Sequence, residues 1–327
     1  MLASTDKLTS VDEVRELSRR ARKDLRLSQE ELAWAIGVSR NWVADFERGK
    51  TDPGFETMLK ALYVLGLELR WNSLPRLVVD GATTGGTSLP NEDAWGTCGS
   101  MAWVIDGAPM PGQGDETRAY VQRLSTALES LAAEGGPLSR TVAQSIEMAR
   151  DLWARPHPSA TLAIISVAET VTEWLVLGDA SVVFRVGRVT TRVCDDRLDR
   201  VAVAERRARR EGRRAGVSSS RLQTLHENLY KAESAQRNRA GGFWVASDSP
   251  EAAFQALTGT SATDQPIALC TDGVSSLVGS PGHWPDLDAA YMDWTRRGPS
   301  AVITNLSTDA GKDRSISDDA TLVVVQL

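Results

Sequence analysis

Acidic side chains stand beside apolar, strand-like runs at five places in the second part of the sequence. A carboxylate at the end of a buried strand projects from the rim of a sheet, where it can hold a hard divalent cation or handle a proton. One such cluster alone is weak evidence, because Asp-Gly is also a common turn dipeptide. The clusters are Asn91-Glu92-Asp93, Asp106-Gly107, Gly178-Asp179, Thr271-Asp272-Gly273 and Ser317-Asp318-Asp319.

The order of the clusters and the sequence motifs that contain them make the pattern specific. The chain contains, in sequence, the motifs NEDAW, VIDGA, PSATLAIIS, LGDASVVF, CTDGVSSL and SDDATLVVV. Together they resemble protein phosphatase 2C (PPM-type) metal-dependent phosphatases, and the resemblance covers residues 77–327. It implies a serine/threonine protein phosphatase that hydrolyses phosphoesters with a metal-activated water. It further implies two divalent ions, Mn²⁺ or Mg²⁺, in a cleft between sheets, and a phosphorylated protein as substrate.

The resemblance also assigns roles to the first acids. Asp106 would bridge both metals, and Asp93 would orient a metal-bound water, so these two are the expected catalytic residues. Glu92 and the carbonyl of Gly107 would hold one of the metals. Carboxylate and carbonyl oxygens are the ligands that such hard cations prefer.

The later motifs would complete the metal site by the same resemblance. Asp272 and the first acid of the terminal motif would hold the second metal, which selects Asp318 over Asp319. Asp179 and Ser181 would give structural support. Two such ions would lower the pKa of a bridging water and neutralise phosphoryl oxygens, so no covalent nucleophile is required.

Some residues depart from the family pattern. Ser88 stands where many members have a phosphate-gripping Arg, and the two glycines expected at positions 109 and 110 are replaced by Pro109 and Met110. Arg76 or an Arg-rich helical region could replace the missing Arg. These departures motivate an alternative function: a transcriptional regulator whose phosphatase-like domain is a catalytically weak sensor or a protein-interaction module.

The Arg-rich region lies within residues 198–236 and has three interpretations. It is a solvated helical face, a surface that docks phosphoproteins, or a nucleic-acid contact. Its arginines are Arg206, Arg207, Arg209, Arg210, Arg213 and Arg214.

The first seventy residues predict a bundle of short helices. Apolar positions recur at helical spacing over residues 11–25. Ser28 followed by Glu31 forms a capping box that opens a second helix, and Gly37 can end it. Ser39 caps a third helix over residues 40–47, and an apolar helix follows Pro53. A short helix, a tight turn and a capped helix form helix-turn-helix geometry.

The segment LSQEELAWAIGVSRNWVADFERGKTDPGFETMLKALYVLGLEL resembles Cro/repressor (Xre-type) domains of the HipB-like antitoxin branch. In such domains the third helix enters the DNA major groove, so double-stranded DNA is an expected partner of residues 28–50. By resemblance, the base-facing residues are Arg40, Asn41, Ala44 and Asp45. By resemblance, the residues that approach phosphates are Gln29, Arg48 and Lys50.

The charge of this segment favours a weaker DNA contact. Residues 1–70 carry 12 Lys and Arg against 12 Asp and Glu. Because phosphate contacts dominate DNA affinity, a neutral domain needs to dimerise to bind well, and a homodimer through this domain is expected. The alternative is a bundle that docks protein, as in an antitoxin-like interaction protein.

The remaining elements must position the acids. Strand-like runs appear at residues 101–105, 161–167, 172–177, 182–186, 267–270 and 322–325, with helical spacing at 116–133 and 138–154. The short turns between 161 and 186 predict an antiparallel meander. The fold class is therefore multi-domain, with two domains, 1–75 and 76–327. A small all-α helix-turn-helix bundle precedes an α+β domain with two antiparallel sheets sandwiched between helices.

Length and composition limit the remaining classes of protein and its location. The chain has 327 residues and a formal net charge of −6, which excludes a generally basic nucleic-acid coat. Its longest apolar runs are about nine residues, too short to span a membrane. The three cysteines are scattered, which fits a reducing compartment. We therefore expect a cytoplasmic protein with no membrane partner.

Overall fold

The structure is a computed structural model of the chain. It divides into two compact units, Met1–Ser73 and Leu74–Leu327. No helix in its described part is long and apolar enough to cross a membrane. The described residues are 10–67, 77–86, 90–108, 114–150, 157–168, 171–262, 264–308 and 318–326.

Four helices form the N-terminal unit, and their caps explain their starting points. Ser28 and Glu31 form the predicted capping box, with 3.1 Å from the Glu31 amide to the Ser28 hydroxyl. Gly37 ends the second helix with a left-handed φ of 77°, and Ser39 caps the third. The helices are α1 Val11–Asp24, α2 Gln29–Ile36, α3 Arg40–Glu47 and α4 Phe55–Val64.

A buried ion pair joins α1 to α3 beside the apolar core of this unit. The Arg22 guanidinium donates to both carboxylate oxygens of Glu47, at 2.6 and 2.9 Å, and to the carbonyl of Leu27 at 2.7 Å. The Gln29 amide adds a third donor to Glu47 at 2.9 Å. Burial alone would raise the pKa of Glu47, but the hydrogen bonds from Arg22 and Gln29 hold this pKa below its ordinary value.

The C-terminal unit contains two five-stranded antiparallel sheets. The first has the order β1-β10-β9-β6-β7 and the second has the order β2-β3-β4-β5-β8. The strands are β1 Val78–Thr84, β2 Ala94–Cys98, β3 Met101–Ala108, β4 Ser159–Val167, β5 Val171–Leu177, β6 Ser181–Val186, β7 Val189–Cys194, β8 Leu257–Ala262, β9 Ile267–Cys270 and β10 Ala320–Gln326.

Helices cover the outer faces of both sheets. Two 3₁₀ turns, Leu198–Arg200 and Pro250–Gln255, flank the pair α7 and α8. The helices are α5 Gly114–Ala132, α6 Leu138–Arg150, α7 Val203–Arg214, α8 Ser219–Ser234, α9 Asp272–Ser275, α10 Leu287–Arg297 and α11 Pro299–Thr308.

Alternating side chains divide the interior of this unit into three apolar layers. On β3, Val104 packs between the sheets, whereas its neighbours Trp103 and Ile105 face α5 and α6. On β10, Val323 faces the other sheet and Leu322 faces α10 and α11. This alternation is the period-2 pattern of a strand buried on both faces. It confirms the predicted fold class of two antiparallel sheets between helices.

The predicted meander over residues 161–186 is wrong in its last strand. β4 and β5 pair as expected, but the second neighbour of β5 is β8. β6 belongs to the other sheet, where it pairs with β7 and β9. The turn at Gly178, with a φ of 82°, carries the chain from one sheet to the other.

We expect Glu47→Gln to destabilise the N-terminal unit by about 3 kcal/mol, because it leaves the buried Arg22 charge without a counterion. Hydrogen exchange of α2 and α3, measured by mass spectrometry on the full chain, should report this loss. The matched control is Asp45→Asn, which breaks the surface pair with Arg48 and should cost at most about 1 kcal/mol. Equal exchange in the two variants would contradict the prediction.

Candidate functional site

Two strand ends of the second sheet bring the first acids together. Asp106 lies near the end of β3 and faces Thr161 on β4. Glu92 and Asp93 immediately precede β2, whose first residue pairs with the neighbour of Asp106, Ile105. The antiparallel register therefore places Glu92 and Asp93 beside Asp106.

The other sheet supplies the remaining acids in the same way. β9 ends just before Thr271 and Asp272, and β10 begins just after Asp318 and Asp319. The two strands stay joined there, because the Thr271 amide donates to the Thr321 carbonyl at 3.1 Å. The Thr321 amide in turn donates to the Thr271 hydroxyl at 3.0 Å.

Side-chain hydrogen bonds connect the two sheets at these ends. One oxygen of Asp93, Oδ2, accepts from the hydroxyls of Thr271 at 2.9 Å and Thr321 at 2.7 Å. Asp319 accepts from the amides of Gly86 at 2.8 Å and Glu92 at 2.6 Å. The segment that carries Glu92 and Asp93 is therefore fixed to the start of β10.

Gly107 allows the close approach of the Glu92 segment. A Cβ at this position would lie 2.8 Å from the Glu92 carbonyl oxygen and 2.9 Å from the Thr117 methyl group. Atoms do not approach this closely without a shift of the backbone, so the site requires glycine here. The contact places Gly107 directly against Glu92.

Burial and mutual repulsion raise the pKa of the acids. Burial raises the pKa of Glu92 to about 7, with added repulsion from Asp319, Asp318 and Asp115. Burial also raises the pKa of Asp93 to about 8, although the Thr321 and Thr271 hydroxyls partly oppose the shift.

Burial and repulsion by neighbouring acids also raise the pKa of Asp106 and of Asp272. Burial raises the pKa of Asp106 well above its ordinary range, and Asp93 and Asp272 raise it further. Burial, Asp179 and Asp318 raise the pKa of Asp272 to about 7, against a hydrogen bond with Asp106. All of these acids therefore share one low-dielectric neighbourhood.

Two carboxylate oxygens in this neighbourhood have no partner. Glu92 Oε1 and Asp93 Oδ1 are buried without a hydrogen bond. Asp318 is exposed, whereas both oxygens of Asp319 are occupied by amides. Among the described residues, no three acidic, histidine or cysteine side chains converge closely enough to ligate one ion as they stand. The acids are neighbours rather than a closed ligand set.

The sequence interpretation gave no role to Thr271, Thr321 or the carboxylate of Asp319, which position the acids. A signal was available, because both threonines stand inside the quoted motifs within two residues of an acid. Asp179 lies at the Gly178 turn, where burial raises its pKa, and Ser181 begins β6. The residues singled out at positions 76, 88, 109 and 110 lie outside the described part of the chain.

The predicted DNA-contact residues of the N-terminal unit divide into two groups. Arg40, Asn41 and Lys50 are exposed, and their side chains make no hydrogen bond or ion pair within the described ranges. Gln29 donates its amide to Glu47, so its side chain supports the bundle.

Arg48 and Asp45, the remaining charged residues of the predicted DNA-contact set, neutralise each other. Arg48 donates to Asp45 Oδ1 at 2.9 Å and to the carbonyl of Ala44 at 2.8 Å. Ala44 and Asp45 are half-buried. The unpaired positive charge on the predicted DNA-facing side is therefore concentrated at Arg40 and Lys50.

Comparisons with known families agree with the two units. Residues 19–72 match the helix-turn-helix family model, and residues 81–306 match the protein phosphatase 2C model. Both resemblances seen in the sequence are confirmed. No curated protein sequence matches the chain.

Solved structures with the same fold are distant in sequence. A bacterial serine phosphatase is 12% identical with a TM-score of 0.50, and the match covers 76% of this chain and 97% of that one. The PPM phosphatase MsPP of Mycobacterium smegmatis, in complex with cacodylate, is 17% identical with a TM-score of 0.46, covering 78% and 100%. PstP in complex with two manganese ions is 15% identical with a TM-score of 0.48, covering 76% and 97%.

The raised pKa values predict that the chain loses stability as the pH rises. The folded chain keeps protons on these acids up to pH 7 to 8, whereas the unfolded chain releases them at ordinary acidic pKa values. In buffer with a chelator, the free energy of unfolding should therefore fall from pH 5 to pH 8.

Asp106→Asn should flatten this fall and raise the free energy of unfolding at pH 8, because an amide does not repel the carboxylates of Asp93 and Asp272. Urea titrations followed by far-UV circular dichroism at both pH values give the measurement. Glu173→Gln removes an exposed acid on β5 and serves as the control. An Asp106→Asn profile parallel to that of the wild type would refute the electrostatic description of the site.

Proposed function

Because the chain belongs to the protein phosphatase 2C family, we propose that its C-terminal unit is a metal-dependent phosphatase acting on phosphoserine and phosphothreonine in proteins. The observation that carries the proposal is the grouping of Glu92, Asp106 and Asp272 from distant parts of the sequence. Burial raises the pKa of each of them, and neighbouring acids, Asp318 among them, raise it further. A site of this kind favours divalent cations.

The residues fit a pair of such cations. Glu92 Oε1 and Asp93 Oδ1 are buried oxygens without partners, which is costly unless a cation or donor joins them. We propose that Asp106 contacts both ions and that Glu92 and the Gly107 carbonyl hold one. When bound, Mn²⁺ or Mg²⁺ would supply an activated water near neutral pH and neutralise the phosphoryl oxygens.

The second ion would be held by Asp272 and Asp318. The choice of Asp318 is supported by the hydrogen bonds of Asp319, whose two carboxylate oxygens already accept the amides of Gly86 and Glu92. Asp319 instead positions Glu92. Asp318 and Asp319 thus have distinct proposed roles.

The hydrogen bonds of Asp93 support a role in orienting the attacking water. Its Oδ2 is fixed by the hydroxyls of Thr271 and Thr321, so the carboxyl cannot rotate freely. Its Oδ1 remains available to accept a hydrogen bond from water or to hold a proton.

We expect the full chain with Mn²⁺ to hydrolyse p-nitrophenyl phosphate. Asp106→Asn and Asp272→Asn should each lower kcat/KM at least about 100-fold, because each removes several kcal/mol of charge stabilisation. Release of p-nitrophenol is the measurement, and Glu173→Gln is the control with the same change of charge.

Circular dichroism of each variant distinguishes lost chemistry from lost folding. Equal rates in the wild type and both Asn variants would reject the enzyme. Negligible turnover of the folded wild type at millimolar Mn²⁺ would instead favour a regulator whose phosphatase-like unit is a sensor.

We further propose that the N-terminal unit binds double-stranded DNA through α3 as a homodimer and gives the phosphatase a regulatory role. Arg40 and Lys50 supply the unpaired charge for phosphate and base contacts. Dimerisation is supported by the exposed apolar row of α4, where Phe55, Leu59 and Tyr63 are 58%, 40% and 85% exposed. A dimer would double the number of phosphate contacts of a domain with balanced charge.

Arg40→Ala should weaken sequence-specific DNA binding about 10-fold, as expected for the loss of one base or phosphate contact. Duplexes selected from a randomised pool on the full chain, then tested by gel shift at 50 mM salt, provide the measurement. Lys60→Ala removes one charge from α4 and should leave the shift unchanged. Failure to select any duplex would count against DNA binding.

A further inference from the structure

Four arginines follow one face of α7. Arg206, Arg209, Arg210 and Arg213 have the i, i+3, i+4, i+7 spacing that brings side chains together on a helix surface. With Leu229 of α8 they line a groove of about 170 Å³. These four side chains are called the arginine stripe below.

Most of the charge of the arginine stripe is not neutralised. Arg206 pairs with Glu233, with 2.6 Å between Nη2 and Oε1. Over the ranges that the structure describes, the side chains of Arg209, Arg210 and Arg213 make no ion pair and no hydrogen bond. Burial lowers the pKa of Arg209, and the charges of Arg213 and Arg206 act in the same direction. The groove therefore has excess positive charge, which attracts anions.

The arginine stripe follows in the chain a segment that is bound to the Gly178 turn, where the Asp195 amide donates to the Gly178 carbonyl at 3.2 Å. Arg206 interacts electrostatically with Asp179, and Arg209 does so with Asp318. The helical rise of 1.5 Å per residue puts Arg213 about 6 Å beyond Arg209 along the axis. An extended peptide advances about 3.3 Å per residue, so about two residues cover this distance.

We propose that the arginine stripe binds acidic or additionally phosphorylated side chains two to three residues from the phosphoester of a polypeptide substrate. The inference rests on the proposed phosphatase function and adds a preference within its substrates. Guanidinium groups match carboxylate and phosphate oxygens in bidentate geometry. Arg210 and Arg213 are its specificity-determining residues.

A polypeptide fits this surface better than a nucleic acid does. The stripe spans only about 10 Å of helix, and its Arg206 and Arg209 interact electrostatically with Asp179 and Asp318. A continuous row of phosphates extended past that end would meet carboxylates and be repelled. A peptide carries its anionic groups at discrete positions, so it can place one at the cation site and others on the stripe.

The experiment compares two fluorescein-labelled phosphoserine peptides on the full chain. One has Asp at the second and third positions on both sides of the phosphoserine, and the other has Ala there. Fluorescence anisotropy in the presence of a chelator gives the Kd of each peptide. Both peptides carry the same phosphate, so its repulsion by the acids of the candidate site cancels in the ratio of the two Kd values. We expect the acidic peptide to bind about fivefold more tightly, and the preference to disappear in 0.5 M NaCl.

The double variant Arg210→Gln/Arg213→Gln should bring the ratio of Kd values to within about twofold. The matched control is Arg140→Gln/Arg188→Gln, which removes two exposed charges outside α7 and should keep the fivefold preference.

The outcomes separate the inference from the proposed function. Equal Kd values for the two peptides in the wild type overturn the inference, even when p-nitrophenyl phosphate is hydrolysed. A single-stranded oligonucleotide that binds the stripe more tightly than the acidic peptide also overturns it. If p-nitrophenyl phosphate is not hydrolysed, the phosphatase proposal fails, and a peptide preference lost only in the α7 variant still supports anion binding by the stripe.

Discussion

The hydrogen bonds from Thr271 and Thr321 to Asp93 are the constraint on which the candidate site depends. They join a carboxyl at the edge of one sheet to two strands of the other sheet. Bringing several carboxylates into a poorly solvated place is unfavourable, because like charges repel and ionised groups lose water. The threonine hydroxyls oppose part of that cost, and the apolar layers on either side hold the sheets at the required separation.

β10 has a central part in this arrangement although it is the last strand of the chain. It lies between β1 and β9, so its start reaches both the Gly86 amide and Thr271. Asp319 thereby binds a segment more than 200 residues earlier in the sequence. The site consequently forms only after long-range pairing is complete, and local sequence preference cannot build it.

The sequence predicts the strongly apolar elements well and the polar ones poorly. β3, β4 and β9 are continuous apolar runs, and the serine caps of α2 and α3 have a local mechanism, so all five could be identified. β1 contains the stretch Asp80 to Thr84, whose pattern does not predict a strand. Its place is set by pairing with β10, which no short window of sequence reveals.

The change of sheet at Gly178 shows a second limit of prediction from sequence, since a short turn between two strands predicts a hairpin whichever sheet the next strand joins.

The arrangement of charges shows a third limit of prediction from sequence. Arg22 and Arg206 are both arginines on helices, yet Arg22 is fully used by Glu47 and Leu27. Arg206 shares its helix face with three other arginines and forms an ion pair with Glu233. Residue type alone does not distinguish a structural arginine from one available to an anion; the surrounding acids, placed by the tertiary fold, make that difference.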